Sequence, residues 1–293
     1  VALFGSVAAG LEWRSYADTR AAGVLHTATL LGALALLGTA ADRSSLRRGA
    51  AAATITTAAT VFVALGGTSL VRTGAQMAHH LDHGDVDVAR RLLPALCGRD
   101  PAVLDEGGLT RAALESVAEN TSDAHVAPLL WAAFGGVPAV LVYRGANTLD
   151  AMIGHKSPRY RRFGWAAARF DDLLNHFAAR ATAVLVAVCA PVVGGSPVAA
   201  LRAWRRDAGR HPSPNAGVVE AAFAGALGVR LGGPTQYEHE LEIRPTLGDG
   251  PPPQVADLRR AVRLSRAVQV AAAGVAVGVS AVGRSGRRAF PPS

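Results

Sequence analysis

Between Glu115 and Trp131 the chain reads ESVAENTSDAHVAPLLW, where carboxylates, an Asn, a Thr and a Ser run straight into an apolar segment. On a helix Glu115 and Glu119 lie four residues apart and point the same way, and Asp123 reaches that side if the helix persists. Like charges at that spacing repel, so a cation is expected to meet them. Mg²⁺, which takes oxygen ligands and keeps several waters, suits such a place; a solvated helix face is the plainer alternative. Asn120-Thr121-Ser122 also matches the N-glycosylation pattern, which a cytosolic site would make irrelevant.

A second polar tract, YRGANTLDAMIGHKSPRYRRFGWAAARFDDLLNHFAARATA, begins at Tyr143. Tyr143, Asn147 and Asp150 fall at helical spacing, as do Asp171, Asp172, Asn175 and His176. One set suits a metal and the other phosphate oxygens, for which Arg forks and Lys are the usual tools. Anchoring at anionic headgroups is the competing use for Arg161, Arg162 and Arg169. GHKS resembles the end of a P-loop, but His155 separates Gly154 from Lys156 and Leu149 stands where the first Gly belongs, which excludes that motif.

The elements that must position these groups are largely apolar. The chain of 293 residues is 50% hydrophobic with positive mean hydropathy. Charge-free runs cover 21–41, 49–71 and 181–201, with shorter ones at 126–143 and 267–283. A helix needs about 20 apolar residues to cross a bilayer, with about 17 as the lower limit. The expected class is therefore an all-α, polytopic helical membrane protein, forming a single integral-membrane domain over 1–293. The alternative is a soluble protein with buried Ala-rich helices. The net charge of +8 is mostly Arg. Arg43, Arg47 and Arg48 flank apolar runs, which fits a membrane boundary and not nucleic-acid binding. Cys97 and Cys189 stand far apart without partners at ligand spacing, so neither a disulfide framework nor a zinc site is expected. The chain opens on the apolar stretch VALFGSVAAGL, and an upstream piece is expected.

Polar regions fill 72–125, 144–180 and 202–266. The first is predicted to be helical from about Leu109, with Thr110 as N-cap. Gly154, Pro158 and Gly164 mark a loop between short helices in the second. In the third, HPSPNAG and LGDGPPPQ demand turns, and VVEAAFAGALGVRLGG reads as a helix ending at the double Gly. Pro128, Gly135, Gly136 and Pro138 make 126–143 a re-entrant or broken helix. Such a break returns the flanking polar regions to one face.

The motifs ESVAENTSD, YRGANTLDAMIG, RYRRFGWAAARFDD and SPNAG are long and jointly specific, and they resemble the adenosylcobinamide-phosphate synthase family, the CbiB/CobD membrane proteins of cobalamin biosynthesis. The resemblance runs from Val1 to about Arg266. The chain departs from the family pattern at Ala124 and His125, at His155, and at Val218 and Val219. The resemblance implies ATP-dependent amide-bond formation between an aminoalcohol, or its O-phosphate, and the free propionate carboxyl of adenosylcobyric acid. ATP and Mg²⁺ are the implied cofactors. It assigns catalysis to Glu115, Glu119, Asn120 and Asp123, and metal ligation to Asp171 and Asp172. Phosphates would be held by Arg144, Lys156, Arg161, Arg162 and Arg169. Further substrate contacts would come from Tyr143, Asn147, Asp150, Tyr160, Trp165, Asn175, Asn215 and Glu220. Membrane lipid, other late cobalamin-assembly enzymes and a second copy of the chain are candidate partners; nucleic acid is not. The implied location is the cell membrane, multi-pass, with the active site on the cytoplasmic face. A transporter of a small polar or anionic substrate is the rival, distinguished by burying its ionisable groups inside the spans. A non-catalytic scaffold leaves the clustered Asn, Asp and Arg unexplained.

Overall fold

The computed structural model describes residues 1–155, 157–236 and 241–289, which leaves Lys156 outside. The helices in chain order are α1 (Ala2–Ser15), α2 (Arg20–Arg47), α3 (Ala50–Ala64), α4 (Gly67–Asp82), α5 (Val86–Leu92) and α6 (Glu106–Thr121). A π-helical turn, Ser122–Val126, leads into α7 (Ala127–Ile153). Then come α8 (Tyr160–Phe163), α9 (Trp165–Cys189), α10 (Pro197–Asp207), α11 (Ala216–Leu227), the antiparallel pair β1 (Leu231–Gln236) and β2 (Leu241–Leu247), and α12 (Val255–Ala289). Among the described residues, five helical segments are long and apolar enough to cross a membrane: Arg20–Arg47, Ala50–Asp82, Glu106–Ile153, Trp165–Val193 and Val255–Ala281. The protein is an all-α polytopic membrane protein with one small β-hairpin, which the sequence reading did not anticipate.

The breaks fall where backbone chemistry puts them. Within α7, Gly136 takes φ 61°, ψ −150°, and Pro138 follows. Proline lacks the N–H of the helical ladder and its ring crowds the preceding turn, so the helix is broken there as expected. The run 49–71 is divided at Leu65–Gly66, where the Gly66 N–H donates to the Ala124 carbonyl of the π turn at 2.8 Å instead of continuing α3. α6 starts earlier than expected: Asp105, not Thr110, is its N-cap, accepting from the Gly108 N–H at 2.7 Å. An ionised carboxylate at that position also meets the positive end of the helix. α11 ends at Gly228 in the left-handed region (φ 72°), and the double Gly232–Gly233 sits in β1 at a register shift opposite β2.

The described chain divides into two compact units: 1–65 with 127–175 and 273–289, and 66–126 with 176–272. In the first, Ala8, Leu30, Leu31, Ala146, Leu149, Ile153, Phe163 and Ala167 form a buried core between α1, α2, α7, α8 and the start of α9. Small residues let these helices approach: a Cβ on Gly38 would lie 2.6 Å from Pro138 Cα, and one on Gly23 1.8 Å from the Phe163 carbonyl oxygen. Close backbone approach is the common route to helix association in lipid, where apolar burial against water is missing. In the second unit α10 packs on α11 in the same way, Gly225 lying against the Ala199 carbonyl. Thr121 and Ser265 share a buried hydrogen bond of 2.6 Å between α6 and α12.

Candidate functional site

In the second unit, α6 turns Glu115 inward to 1% exposure. Glu115 Oε1 accepts from the Gly232 N–H at 2.7 Å, and Oε2 accepts a short hydrogen bond from Arg99 Nη2. Arg244, on β2, brings Nη1 to 3.8 Å from the same Oε2 and to 3.7 Å from Glu220 Oε1. One turn above on α6, Arg111 donates through Nη1 to the Gly232 carbonyl at 2.8 Å and through Nη2 to that of Pro234. α6 therefore holds the hairpin by charge-assisted bonds to its backbone, and Glu115 fixes Arg99 and Arg244.

His211, from the HPSPNAG turn, places Nε2 3.9 Å from Glu220 Oε1. That exceeds hydrogen-bond range. His211 Nε2 and both Glu220 carboxyl oxygens are buried without a hydrogen-bond partner. Burial, then the charge of Arg244, lowers the His211 pKa to about 4. Its imidazole is therefore neutral at physiological pH. Its Nδ1 meets both the Ser213 N–H at 3.0 Å and the Ser213 carbonyl at 3.1 Å. Burial, followed by the charge of Glu115, pushes the Glu220 carboxyl well above its usual range. Arg99 and Arg244 both lie within electrostatic reach of Glu115 and of Glu119.

Glu119 is half-buried, as are Asn120 and Asp123. Asn120 Nδ2 donates to the Ser116 carbonyl at 3.0 Å and to its Oγ at 3.2 Å, while Ser116 Oγ donates to the Leu96 carbonyl at 2.6 Å. Asp123 stands in the π turn, an irregularity that frequently marks functional sites. Asn215 is buried at the start of α11, where its Oδ1 accepts from Arg180 Nη1 at 3.2 Å.

The first unit gathers the other set. Tyr143 is fully buried on α7 and its hydroxyl donates to Asn175 Oδ1 at 2.9 Å; Asn175 Nδ2 donates in turn to Asp171 Oδ2 at 2.9 Å on α9. Asp150 is the foremost charged neighbour of Asp171, ahead of Asp172, and Asn147 also faces it. Asp171 Oδ1 is buried without a hydrogen-bond partner. A Cβ on Gly154 would lie 1.9 Å from Asp150 Oδ1, so the closing Gly of the LDAMIG motif keeps space for that carboxylate. Among the described residues no three His, Cys, Asp or Glu side chains come together to hold a metal. Mg²⁺ binds typically through one or two carboxylates plus waters and substrate phosphates. Asp150 and Asp171, with an open buried oxygen and neutral amides beside them, fit that ion.

The remaining expected residues are more dispersed. Asp172 pairs with Arg169 at 3.8 Å. Arg144 donates to Asn147 Oδ1 at 3.0 Å and reaches an apolar cavity of about 330 Å³ that also meets Phe4, Leu34 and Val63. Tyr160 donates to Glu12 Oε1 at 2.9 Å, the same oxygen that accepts from Arg159 at 2.9 Å. Arg162 lies 3.8 Å from Asp18, Arg161 is exposed, and the ring of Trp165 sits 5.1 Å under the Arg20 guanidinium. Lys156 lies outside the described residues. Sequence reasoning passed over Arg99, Arg244, His211 and Glu12, whose partners are distant in the chain. For His211, the adjoining SPNAG motif was the available signal.

Comparison with known proteins places the chain. The family described as CobD/Cbib protein matches residues 1–265. A Mycobacterium tuberculosis protein named "Cobalamin biosynthesis protein CobD" is 68% identical over 277 residues, covering 94% of this chain and 88% of that protein. Proteins of the same name from Pelobacter propionicus and Rhodobacter capsulatus are 42% identical over 236 residues (80% and 73% covered) and 48% identical over 193 (66% and 60%). No solved structure matches. A match of this length and identity makes the chain a member of the CobD/CbiB family of cobalamin-biosynthesis proteins.

Proposed function

We propose that the protein joins an aminoalcohol, or its O-phosphate, to the free propionate carboxyl of adenosylcobyric acid, with ATP driving formation of the amide. The observation that carries this reading is the Asp150–Asp171 cluster, whose open carboxylate oxygen and flanking amides suit a metal nucleotide. A carboxylate does not acylate an amine unaided. Its oxygen must first become part of a leaving group, as in an acyl phosphate, and the ammonium must lose a proton before its nitrogen attacks. Bound Mg²⁺ would neutralise charge on the transferring phosphoryl group.

The chain's own residues divide the remaining work. Glu115 is saturated by Gly232 and Arg99, which makes it a positioning residue for Arg99 and Arg244. Glu119, half-buried in the same ionic cluster, is the group assigned to take the ammonium proton. Asn120, braced by Ser116, orients an amide or carbonyl of the substrate. Purified protein supplied with adenosylcobyric acid, the aminoalcohol or its phosphate, and Mg-ATP should yield the amide with stoichiometric ATP consumption. Loss of neither ATP nor adenosylcobyric acid with either amine would overturn the reading.

A further inference from the structure

Away from both clusters, the second unit holds a cavity of about 630 Å³ between α4 and the start of α12. Thr68, Arg72, Gln76 and His79 follow one another at helical spacing along α4, and Arg266 and Gln269 face the cavity from α12. No carboxylate lines it. On α12, Arg259 pairs with Asp82 and Arg260 with Asp257, and the exposed Arg263 is not part of the cavity lining. Arg72 and Arg266 are both exposed and make no ion pair among the described residues. The close approach of the helices is built in, since a Cβ on Gly67 would lie 2.3 Å from His125 Nδ1 and 2.8 Å from Gln269 Oε1.

The place of these two arginines in the chain indicates the ligand. Arg72 directly follows the apolar run 49–71, and Arg266 directly precedes the run 267–283. Both therefore stand where hydrocarbon-compatible chain gives way to polar chain, the depth of phospholipid phosphates. Val270, one turn beyond Arg266, is 70% exposed and offers an apolar flank beside the charge. We propose that Arg72 and Arg266, with Gln76 and His79, bind the phosphate of an anionic phospholipid headgroup. A free phosphate gains little from two hydrated surface guanidiniums, whereas a lipid is already concentrated at that depth and adds acyl contact.

The test uses the full chain in neutral detergent, with bound lipid counted by native mass spectrometry against phosphatidylglycerol and phosphatidylcholine. The intact protein should retain phosphatidylglycerol in preference, and Arg72→Gln/Arg266→Gln should weaken that preference roughly tenfold or more. Arg72→Lys/Arg266→Lys, which keeps the charge, should retain most of it. Equal retention by the Gln variant would overturn the site, and displacement of the lipid by millimolar inorganic phosphate or ATP would overturn the lipid assignment. Should the Gln variant fail to fold, the intact protein decides: selectivity must fall as salt rises, and a salt-independent preference would sink the proposal.

Discussion

His211 and Glu220 respond to acid in opposite directions, and that separates them experimentally. In the unfolded chain a histidine titrates near 6.5, whereas His211 titrates at about 4. Acid between those values protonates the unfolded chain first, so the stability contributed by neutral His211 is present above about pH 6.5 and lost as pH falls toward 4. The shift corresponds to an effect on the order of 3 kcal/mol. Glu220 is raised, so its contribution is full at low pH and fades as pH rises through its folded value. The melting temperature in detergent should therefore fall between pH 6.5 and 4 more steeply for the intact protein than for His211→Gln. Identical slopes would mean the imidazole does not titrate there. Glu119 gives a functional counterpart: Glu119→Gln should melt normally yet lose at least about 10²-fold in turnover, the typical cost of removing a general base. Near-normal turnover would return Glu119 to a structural part.

Helix breaks were legible because Gly and Pro act locally, and partners were not because they act at a distance. Gly136 with Pro138, Gly164, and the turns HPSPNAG and LGDGPPPQ all end or bend elements where the sequence placed them. Asp105 displaced Thr110 as a cap by one helical turn plus, since either residue type suits the position. The division of 49–71 depends on the Ala124 carbonyl, far along the chain, and the hairpin depends on Arg111 and Glu115 grasping a Gly-Gly strand. Likewise, the spacing of Tyr143 with Asn147 and Asp150 was visible, and of Asp171 with Asn175, but their convergence through the Tyr143–Asn175 hydrogen bond was not. Packing of α2 on α7 offers a direct check. Gly38→Leu drives a side chain onto the Pro138 backbone, which cannot yield as a flexible side chain would, and should cost roughly 1–3 kcal/mol or more. Gly32→Ala, on the same helix with nothing within 4 Å, should be neutral or stabilising by up to about 1 kcal/mol. Comparable melting temperatures for the two variants would show that the α2–α7 approach is not close-packed.

For the whole molecule, the proposed reaction dictates which side of the membrane each polar region must face. ATP and the corrinoid are cytoplasmic substrates in the proposed reaction, so the residues assigned to them must be reached from that side. Strict alternation of five spans would put 72–125 and 144–180 on opposite faces, separated by a hydrocarbon layer of about 30 Å. The break at Gly136 and Pro138 within α7 makes a return to the starting face compatible with lipid only where protein or water covers the irregular backbone. Exposure selects the probes: Ser116 is buried, whereas Glu106, Arg161 and Pro214 are exposed. Single Cys substitutions at those three positions, in a background lacking Cys97 and Cys189, should each react with an impermeant thiol reagent in inside-out vesicles and resist it in intact cells. Labelling of the Glu106 probe in intact cells, with the Arg161 probe protected there, would place the ENTSD helix outside and remove Glu119 from the reaction with ATP.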